Sequence, residues 1–192
     1  MKAASLVAAT LACVALSAVA AAAQAGSAAD QPDTRGLSVG VHLNRTAVNF
    51  QYQSSGDILG AGGGVTVGYG LSNRLSVFAR SNMGYQSTQV DLGARYRFGS
   101  PSGVLRPYVE AGVTRVGASR ETSGFSASES VWGTGATVGA GVEYFVSRNL
   151  AIDAGVVHTR GRFSDGTILD GVSGVSEKFI SNRLQLGVTW RP

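Results

Sequence analysis

The sequence predicts an all-β fold, an eight-stranded antiparallel up-and-down β-barrel that crosses a membrane. Apolar residues alternate with polar or small ones over eight segments, so the hydrophobic period is two, as in strands, rather than 3.6. Short polar turns alternate with longer polar connections along the chain. The 192 residues include 27 glycines, about twice the average usage, and glycine is unfavourable inside helices.

The first 25 residues are expected to be a signal peptide. Lys2 supplies a positive start, residues 3–22 are almost entirely Ala, Val and Leu, and Ala23-Gln24-Ala25 is a small-x-small cleavage site. A permanent membrane anchor is the alternative, because the apolar stretch is long enough to span a bilayer. The alanine content and the cleavage site favour removal.

The exported part is expected to contain a short linker over residues 26–35 and the barrel over residues 36–192. The single cysteine, Cys13, lies in the signal peptide, so disulfides cannot stabilise the barrel. The net charge is +4 without a dense basic run, which argues against nucleic acid as a partner. Stability must then come from a packed interior or from a lipid bilayer.

Each predicted strand carries apolar residues on one face and glycine, polar or charged residues on the other. The apolar series, which take every second residue, run in chain order from Leu37 to Leu43, Val65 to Leu71, Leu75 to Ala79, Val90 to Phe98, Val109 to Val113, Ala136 to Val146, Leu150 to Val156 and Leu184 to Trp190.

The connections between these segments are of two kinds. The short turns are Ser72-Asn73-Arg74, Ser147-Arg148-Asn149 and Gly99–Leu105, and the longer connections are Gln53–Asp57, Ser119–Ser130 and Ser164–Glu177. One connection, Gln86–Thr88, is short where a long one is expected. The alternation is typical of a meander whose turns face the periplasm and whose loops face outside. Loops 119–130 and 164–177 are the candidates for binding a surface or host ligand.

The polar face is interpreted as the lining of a narrow interior. Successive side chains of a strand point to opposite faces, and we call this alternation parity. By parity the inward-facing charged residues are Arg80, Asp91, Arg95, Glu110, Glu143 and Asp153. Charges in such a space must be paired and hydrogen-bonded, and Arg97 and Arg183 near the strand ends can complete the pairing. A structural plug and a gated ion path are both compatible with this pattern.

The apolar face ends in aromatic residues, which suit the interface between lipid and water. These residues are Tyr69, Tyr96, Phe98, Tyr144 and Trp190. Glycines on the polar face are interpreted as a source of barrel curvature that also allows a narrow interior to pack. A soluble eight-stranded barrel, with the two faces reversed, is the alternative.

Two segments, Val67–Val77 and Gly141–Ile152, resemble the strand-turn-strand hairpins of small bacterial outer-membrane barrels. Over residues 36–192 the chain is similar to the barrel domains of outer-membrane proteins A and X. The resemblance implies a place in the bacterial outer membrane, contact with lipid and lipopolysaccharide, and a role in envelope integrity or adhesion. It also implies assembly by the barrel-assembly machinery, for which Trp190 takes the place of the terminal aromatic residue.

An enzyme is the rival class. Lipid A deacylases are barrels of similar size that use a His, a Ser and an acid, and His158 precedes Ser164 and Asp165. The stretch His158–Gly161 does not match the His-x-Ser-Asn pattern of that family, and parity places His158 on the apolar face. We therefore expect no enzymatic activity.

No cofactor or metal is expected. The two histidines, His42 and His158, are far apart in sequence, and neither a phosphate-binding loop nor an EF-hand spacing occurs. His42 falls on the polar face of the first strand, where a hydrogen-bonded interior position is expected.

Overall fold

The computed structural model describes residues 32–50, 58–84, 87–121, 128–163 and 178–192. The strands are β1 (Gly36–Phe50), β2 (Ile58–Gly70), β3 (Leu75–Gly84), β4 (Ser87–Arg97), β5 (Leu105–Glu121), β6 (Ser128–Phe145), β7 (Leu150–Phe163) and β8 (Lys178–Trp190). Each pairs antiparallel with the next, and β8 pairs with β1, where Val188 lies opposite Val41. The predicted eight-stranded up-and-down barrel is confirmed.

Several strands extend beyond the apolar alternation that marks them in the sequence. Ser119 of β5 pairs with Ser130 of β6, and the two strands continue to Glu121 and Ser128. The predicted loop over Ser119–Ser130 is therefore wrong at both ends, and residues 122–127 alone separate the strands. The backbone ladder continues here because its hydrogen bonds do not require apolar side chains.

Some predicted features fall outside the described residues. These are the signal peptide over residues 1–25, most of the linker over residues 26–35, and the connections Gln53–Asp57 and Ser164–Glu177.

The three short turns, the start of β1 and the end of β8 lie at one end of the barrel, the turn end; the opposite end is the loop end. In the first turn, Ser72 Oγ accepts hydrogen bonds from the backbone N–H groups of Arg74, at 3.2 Å, and Leu75, at 3.0 Å. Serine suits such a turn because its hydroxyl bonds the nearby backbone.

The outer wall of the barrel is apolar. Large hydrophobic side chains are exposed on all eight strands, and Leu43 is 73% exposed. A water-soluble protein rarely exposes a continuous apolar surface of this extent. The wall therefore faces lipid, and the soluble barrel with reversed faces is ruled out.

Among the described residues, no helix is long and apolar enough to cross a membrane.

At the loop end, an apolar cluster fills the interior. Its members are Val48, Val116, Phe163 and Phe179, and the two phenylalanine rings lie 4.9 Å apart. Below this cluster the interior becomes polar and charged.

Glycines facing the interior make room for aromatic rings as well as for curvature. A Cβ atom added at Gly141 or at Gly155 would lie 2.5 Å from the Tyr108 hydroxyl oxygen. The Tyr108 ring occupies the space in front of these two glycines and is 2% exposed. These two glycines therefore allow close packing of the narrow interior.

Candidate functional site

The polar interior is the candidate functional site. The structure places all six charged residues that parity turned inward, Arg80, Asp91, Arg95, Glu110, Glu143 and Asp153, inside the barrel, and each is buried. They form one connected network, together with arginines near the turn end and the loop end. Their positions follow from the two-residue period of the strands.

The Arg80–Glu110 pair lies near the middle of the barrel. Arg80 donates from Nη1 to Glu110 Oε1 at 2.8 Å and from Nη2 to Oε2 at 2.9 Å, a bidentate arrangement. Asp91 is the cross-strand partner of Arg80, but its Oδ2 is further away, 4.0 Å from Arg80 Nη1. The pair joins β3 to β5, which are not neighbours in the sheet.

Arg95 links three carboxylates. Its Nη2 lies 2.9 Å from Glu110 Oε2, and its Nη1 lies 2.8 Å from Glu143 Oε1 and 3.0 Å from Asp153 Oδ2. The guanidinium also stacks on the Tyr108 ring, 3.8 Å from its centroid. Arg95 is therefore the central cation of the network.

Glu143 accepts hydrogen bonds from three arginines. Besides Arg95, Arg97 donates from Nε to Oε2 at 2.6 Å, and Arg191 donates from Nη2 to Oε1 at 3.2 Å. Glu143 is fully buried, so its charge depends on these partners for stabilisation.

Asp91 organises the loop-end part of the network. It accepts hydrogen bonds from Arg183 Nη2 at 2.6 Å, Thr114 Oγ1 at 2.7 Å and Gln89 Nε2 at 2.7 Å. Arg97 and Arg183, which the sequence offered as completing residues, both contact network carboxylates.

Two arginines of the interior were missed in the sequence. Arg191 follows the last strand, yet it is buried and bonded to Glu143. Burial lowers the pKa of Arg191, but an arginine begins so far above neutrality that it stays charged. Continuing the parity of Arg183 and Gln185 past Trp190 would have placed Arg191 inward.

Arg106 lies at the turn end and contacts backbone carbonyls. Its Nη2 donates to the carbonyl oxygens of Pro32, at 2.8 Å, and Pro101, and its Nε donates to Gly103 at 3.1 Å. Its guanidinium also lies 4.7 Å from the centre of the Phe145 ring. Residues of the predicted linker thus cover the turn end of the interior.

Two small cavities lie within the described part of the interior. One cavity of about 30 Å³ is lined by residues that include His42, Arg80 and Arg95, and another of about 10 Å³ is lined by residues that include Asn82. These volumes suit about one or two water molecules each. The hydrogen bond between His42 Nε2 and Asn82 Oδ1, at 2.6 Å, joins the linings of the two cavities.

The aromatic residues that the sequence assigned to the membrane interface lie on the outer wall near the turn end. Tyr69, Tyr96, Phe98, Tyr144 and Trp190 are all exposed there. Tyr96 and Phe98 meet edge to face, with ring centres 5.1 Å apart.

Of the residues of the hydrolase alternative, His158 lies within the described ranges. His158 is exposed on the outer wall, and its Nδ1 lies 2.8 Å from Asn182 Oδ1. Ser164 and Asp165 lie outside the described residues. Within the described ranges, no group of three or more His, Cys, Asp or Glu side chains is placed to hold a metal ion.

A family model for the outer membrane protein beta-barrel domain matches residues 11–191. The chain belongs to this family. It is a protein of the bacterial outer membrane, and its apolar wall is embedded in lipid. The short-turn end of such barrels faces the periplasm, so the loop end faces outside.

Solved outer-membrane barrels have a similar fold. Neisserial surface protein A has a TM-score of 0.62 and 20% identity, over 82% of this chain and 97% of that chain. The N-terminal β-barrel domain of OprF from Pseudomonas aeruginosa has a TM-score of 0.45 and 20% identity, over 77% of this chain and 96% of that chain. Ail, the attachment invasion locus protein of Yersinia pestis, has a TM-score of 0.49 and 17% identity, over 81% of this chain and 99% of that chain. A comparison with curated proteins finds no match.

Proposed function

We propose that this protein is a closed outer-membrane barrel with a structural or surface-interaction role. It contributes to envelope integrity or to adhesion, and its extracellular connections, within 119–130 and 164–177, carry the contacts. The role lies in the outer wall and the loops, with the interior serving to hold the barrel together.

The observation that carries this proposal is the filled interior. Arg95 contacts carboxylates from β5, β6 and β7, and the apolar cluster around Phe179 lies above it at the loop end. Eight strands enclose a space that side chains can just fill. A barrel whose interior is filled in this way favours a structural role over transport.

The partners proposed for the barrel follow from its surroundings. Outer-membrane lipid and lipopolysaccharide contact the apolar wall, and the barrel-assembly machinery inserts the chain. Trp190 ends the last strand with an exposed aromatic ring, as substrates of that machinery do, while Arg191 turns into the interior.

A narrow ion-conducting pore is the second candidate. Arg183 Nε and Nη1 are buried without a hydrogen-bond partner among the described residues, and the larger cavity is lined by Arg80, Arg95 and other polar side chains. Rearrangement of these arginines would be needed to join the two cavities into a path.

A lipid A-modifying hydrolase is less well supported, and we propose that the protein is not an enzyme. The one described hydrogen-bond partner of His158 is the amide oxygen of Asn182. A catalytic histidine of a triad is instead oriented by a carboxylate, which stabilises its charged form. Loss of an acyl chain from lipid A on expression, abolished by His158→Ala, would instead establish the hydrolase.

The proposal can be tested by deleting the gene in its native host and complementing with two forms of the protein. One form is wild type, and the other replaces residues 122–127 and 164–177 with short Gly/Ser segments. A role through the loops predicts that both forms enter the outer membrane but that wild type alone restores adhesion. An envelope role predicts that both restore exclusion of a large hydrophobic dye. If deletion changes neither adhesion nor dye exclusion, the proposal is wrong.

A further inference from the structure

The barrel interior contains more buried arginines than buried carboxylates. The carboxylates whose side chains are described there are Asp91, Glu110, Glu143 and Asp153. Five buried arginines each contact at least one of them, namely Arg80, Arg95, Arg97, Arg183 and Arg191. We refer to these nine residues as the charge network. With five cations against four anions, the charge network carries one positive charge in excess.

No described side chain outside the charge network balances this excess. The one other acid whose side chain is described, Asp33, is exposed at the turn end, and Arg106 adds a further buried cation there. Among the described residues, Arg183 Nε and Nη1 and Arg191 Nη1 are buried without a hydrogen-bond partner, so the charge network has donors without acceptors. An uncompensated charge is costly in an interior that lipid surrounds, because the charge has lost its solvation. The interior therefore favours one additional anion.

The larger of the two cavities, of about 30 Å³, adjoins the charge network. Its lining includes Arg80, Arg95, Gly40, Thr66 and Thr189. Arg80 of β3 lies opposite Thr66 of β2, and Thr66 lies opposite Gly40 of β1. Gly40 also lies opposite Thr189 of β8. A Cβ atom added at Gly40 would lie 2.9 Å from Thr189 Oγ1, so the absence of a side chain at Gly40 keeps the space between the two threonines open.

We propose that this cavity binds one small monovalent anion, of the size of chloride or bromide. Arg80 and Arg95 supply positive charge, and the hydroxyl groups of Thr66 and Thr189 supply hydrogen-bond donors. Neither hydroxyl has a hydrogen-bond partner among the described residues, so both can donate to the ion. The space of about 30 Å³ exceeds what one water molecule needs, and it admits an ion slightly larger than water. The bound anion balances the excess charge of the network.

The lining of the cavity disfavours other occupants. A cation would add to the excess positive charge beside Arg80 and Arg95, and water would leave that excess uncompensated. Asp153 also lines the cavity, where its Oδ2 lies 3.0 Å from Arg95 Nη1. This carboxylate repels a multivalent anion more strongly than a monovalent one, and phosphate or sulfate is too large for the space. A halide ion fits both the volume and the charge.

The anion is a resident component of the interior rather than a transported ion. The apolar cluster around Phe179 fills the loop end above the cavity, and Pro32, whose carbonyl oxygen accepts a hydrogen bond from Arg106, covers the turn end. The bound ion is an addition to the proposed structural or surface-interaction role, which does not require it.

The test measures urea unfolding of the refolded protein in lipid vesicles over a range of low bromide concentrations, with sodium gluconate keeping the ionic strength constant. Gluconate is too large for the cavity, and a ligand that binds only the folded state raises the unfolding midpoint. The wild-type midpoint is expected to rise with bromide. The variant Thr66→Val/Thr189→Val loses both hydroxyls but keeps a similar shape. It is expected to bind bromide at least about tenfold more weakly, because two hydrogen bonds to a charged group are lost.

The control variant is Thr137→Val/Thr159→Val, which loses two buried hydroxyls that contact each other at 3.4 Å and do not line the cavity. It is expected to show the bromide dependence of wild type. Crystals of the wild-type protein grown in bromide give a measurement independent of variant folding, since the anomalous signal is expected to place one bromide ion in the cavity. The absence of bromide from the cavity, no rise in the wild-type midpoint, or an equal rise in the Thr66→Val/Thr189→Val variant would overturn the proposal. None of these outcomes depends on adhesion or dye exclusion, so this site and the proposed function can fail separately.

Discussion

Arg95 of β4 and Glu143 of β6 meet inside the barrel, with Nη1 2.8 Å from Oε1, although β5 separates their strands in the sheet. The ion pair thus connects two strands that share no backbone hydrogen bonds. Charged side chains therefore join strands that are not neighbours in the sheet, and the stability of the barrel should depend on the balance of these charges.

Replacing Glu143 by Gln should destabilise the barrel strongly. Three arginines, Arg95, Arg97 and Arg191, would lose their shared carboxylate in a buried place. Removing one partner from a buried ion pair typically costs about 3–5 kcal/mol. Urea unfolding in lipid vesicles, followed by tryptophan fluorescence, measures the loss. Asp153→Asn is the matched control and should cost less, because Arg95 is the one arginine paired with Asp153 among the described residues. An equal or larger loss for Asp153→Asn would contradict this account.

Arg191→Ala should destabilise the barrel less than Glu143→Gln. It removes one of three arginines from Glu143 and leaves Arg95 and Arg97 in place. A hydrogen bond to a charged group contributes about 1.5–3 kcal/mol. The midpoint temperature of the heat-induced shift in electrophoretic mobility should fall, whereas Arg148→Ala in an exposed turn should leave it unchanged. No fall in the Arg191→Ala midpoint would show that its contact with Glu143 is not formed.

Gly155→Ala should be destabilising because the new methyl group meets the Tyr108 hydroxyl. The added Cβ would lie 2.5 Å from that oxygen, and overpacking typically costs about 1–3 kcal/mol. Gly84→Ala is the control, since its Cβ would lie 3.4 Å from Ser87 Oγ. Urea unfolding should also show a smaller loss when Gly155→Ala is introduced into a Tyr108→Phe background. The same loss in both backgrounds would rule out the hydroxyl as the cause.

The two tryptophans should report on the two borders of the membrane. Trp132 lies towards the loop end of β6, and Trp190 ends β8 at the turn end. In the variants Trp132→Phe and Trp190→Phe, the remaining tryptophan should be quenched more by lipids brominated near the headgroup than by lipids brominated near the chain end. Stronger quenching by the deep bromines in either variant would contradict the placement of the apolar wall.

The direction of the charged side chains within the predicted strands could be predicted from the sequence, whereas their pairing across the interior could not. Parity placed Arg80 and Glu110 inside, because successive side chains alternate between faces. Arg80 lies opposite Asp91 in the ladder, yet its bidentate partner is Glu110. That choice depends on strand tilt and on the reach of a long side chain, which a period of two does not describe.

The ends of the strands and the contacts of the glycines also could not be predicted from the alternation of residues in the sequence. Ser119 and Ser130 pair without apolar alternation, so their strand conformation is imposed by the ladder that begins below them. Position 155 requires glycine because the ring of Tyr108 fills the space in front of it. Tyr108 belongs to β5, which is not a neighbour of β7 in the sheet. Such contacts appear only once the barrel has closed.

Single-channel recording in planar lipid bilayers tests the filled interior most directly. The account predicts that the wild-type barrel inserts without producing unitary current steps, and that Arg95→Ala, which removes the central cation, does produce them. Steady unitary conductance of the wild-type protein, at a level that Arg95→Ala does not change, would contradict the account.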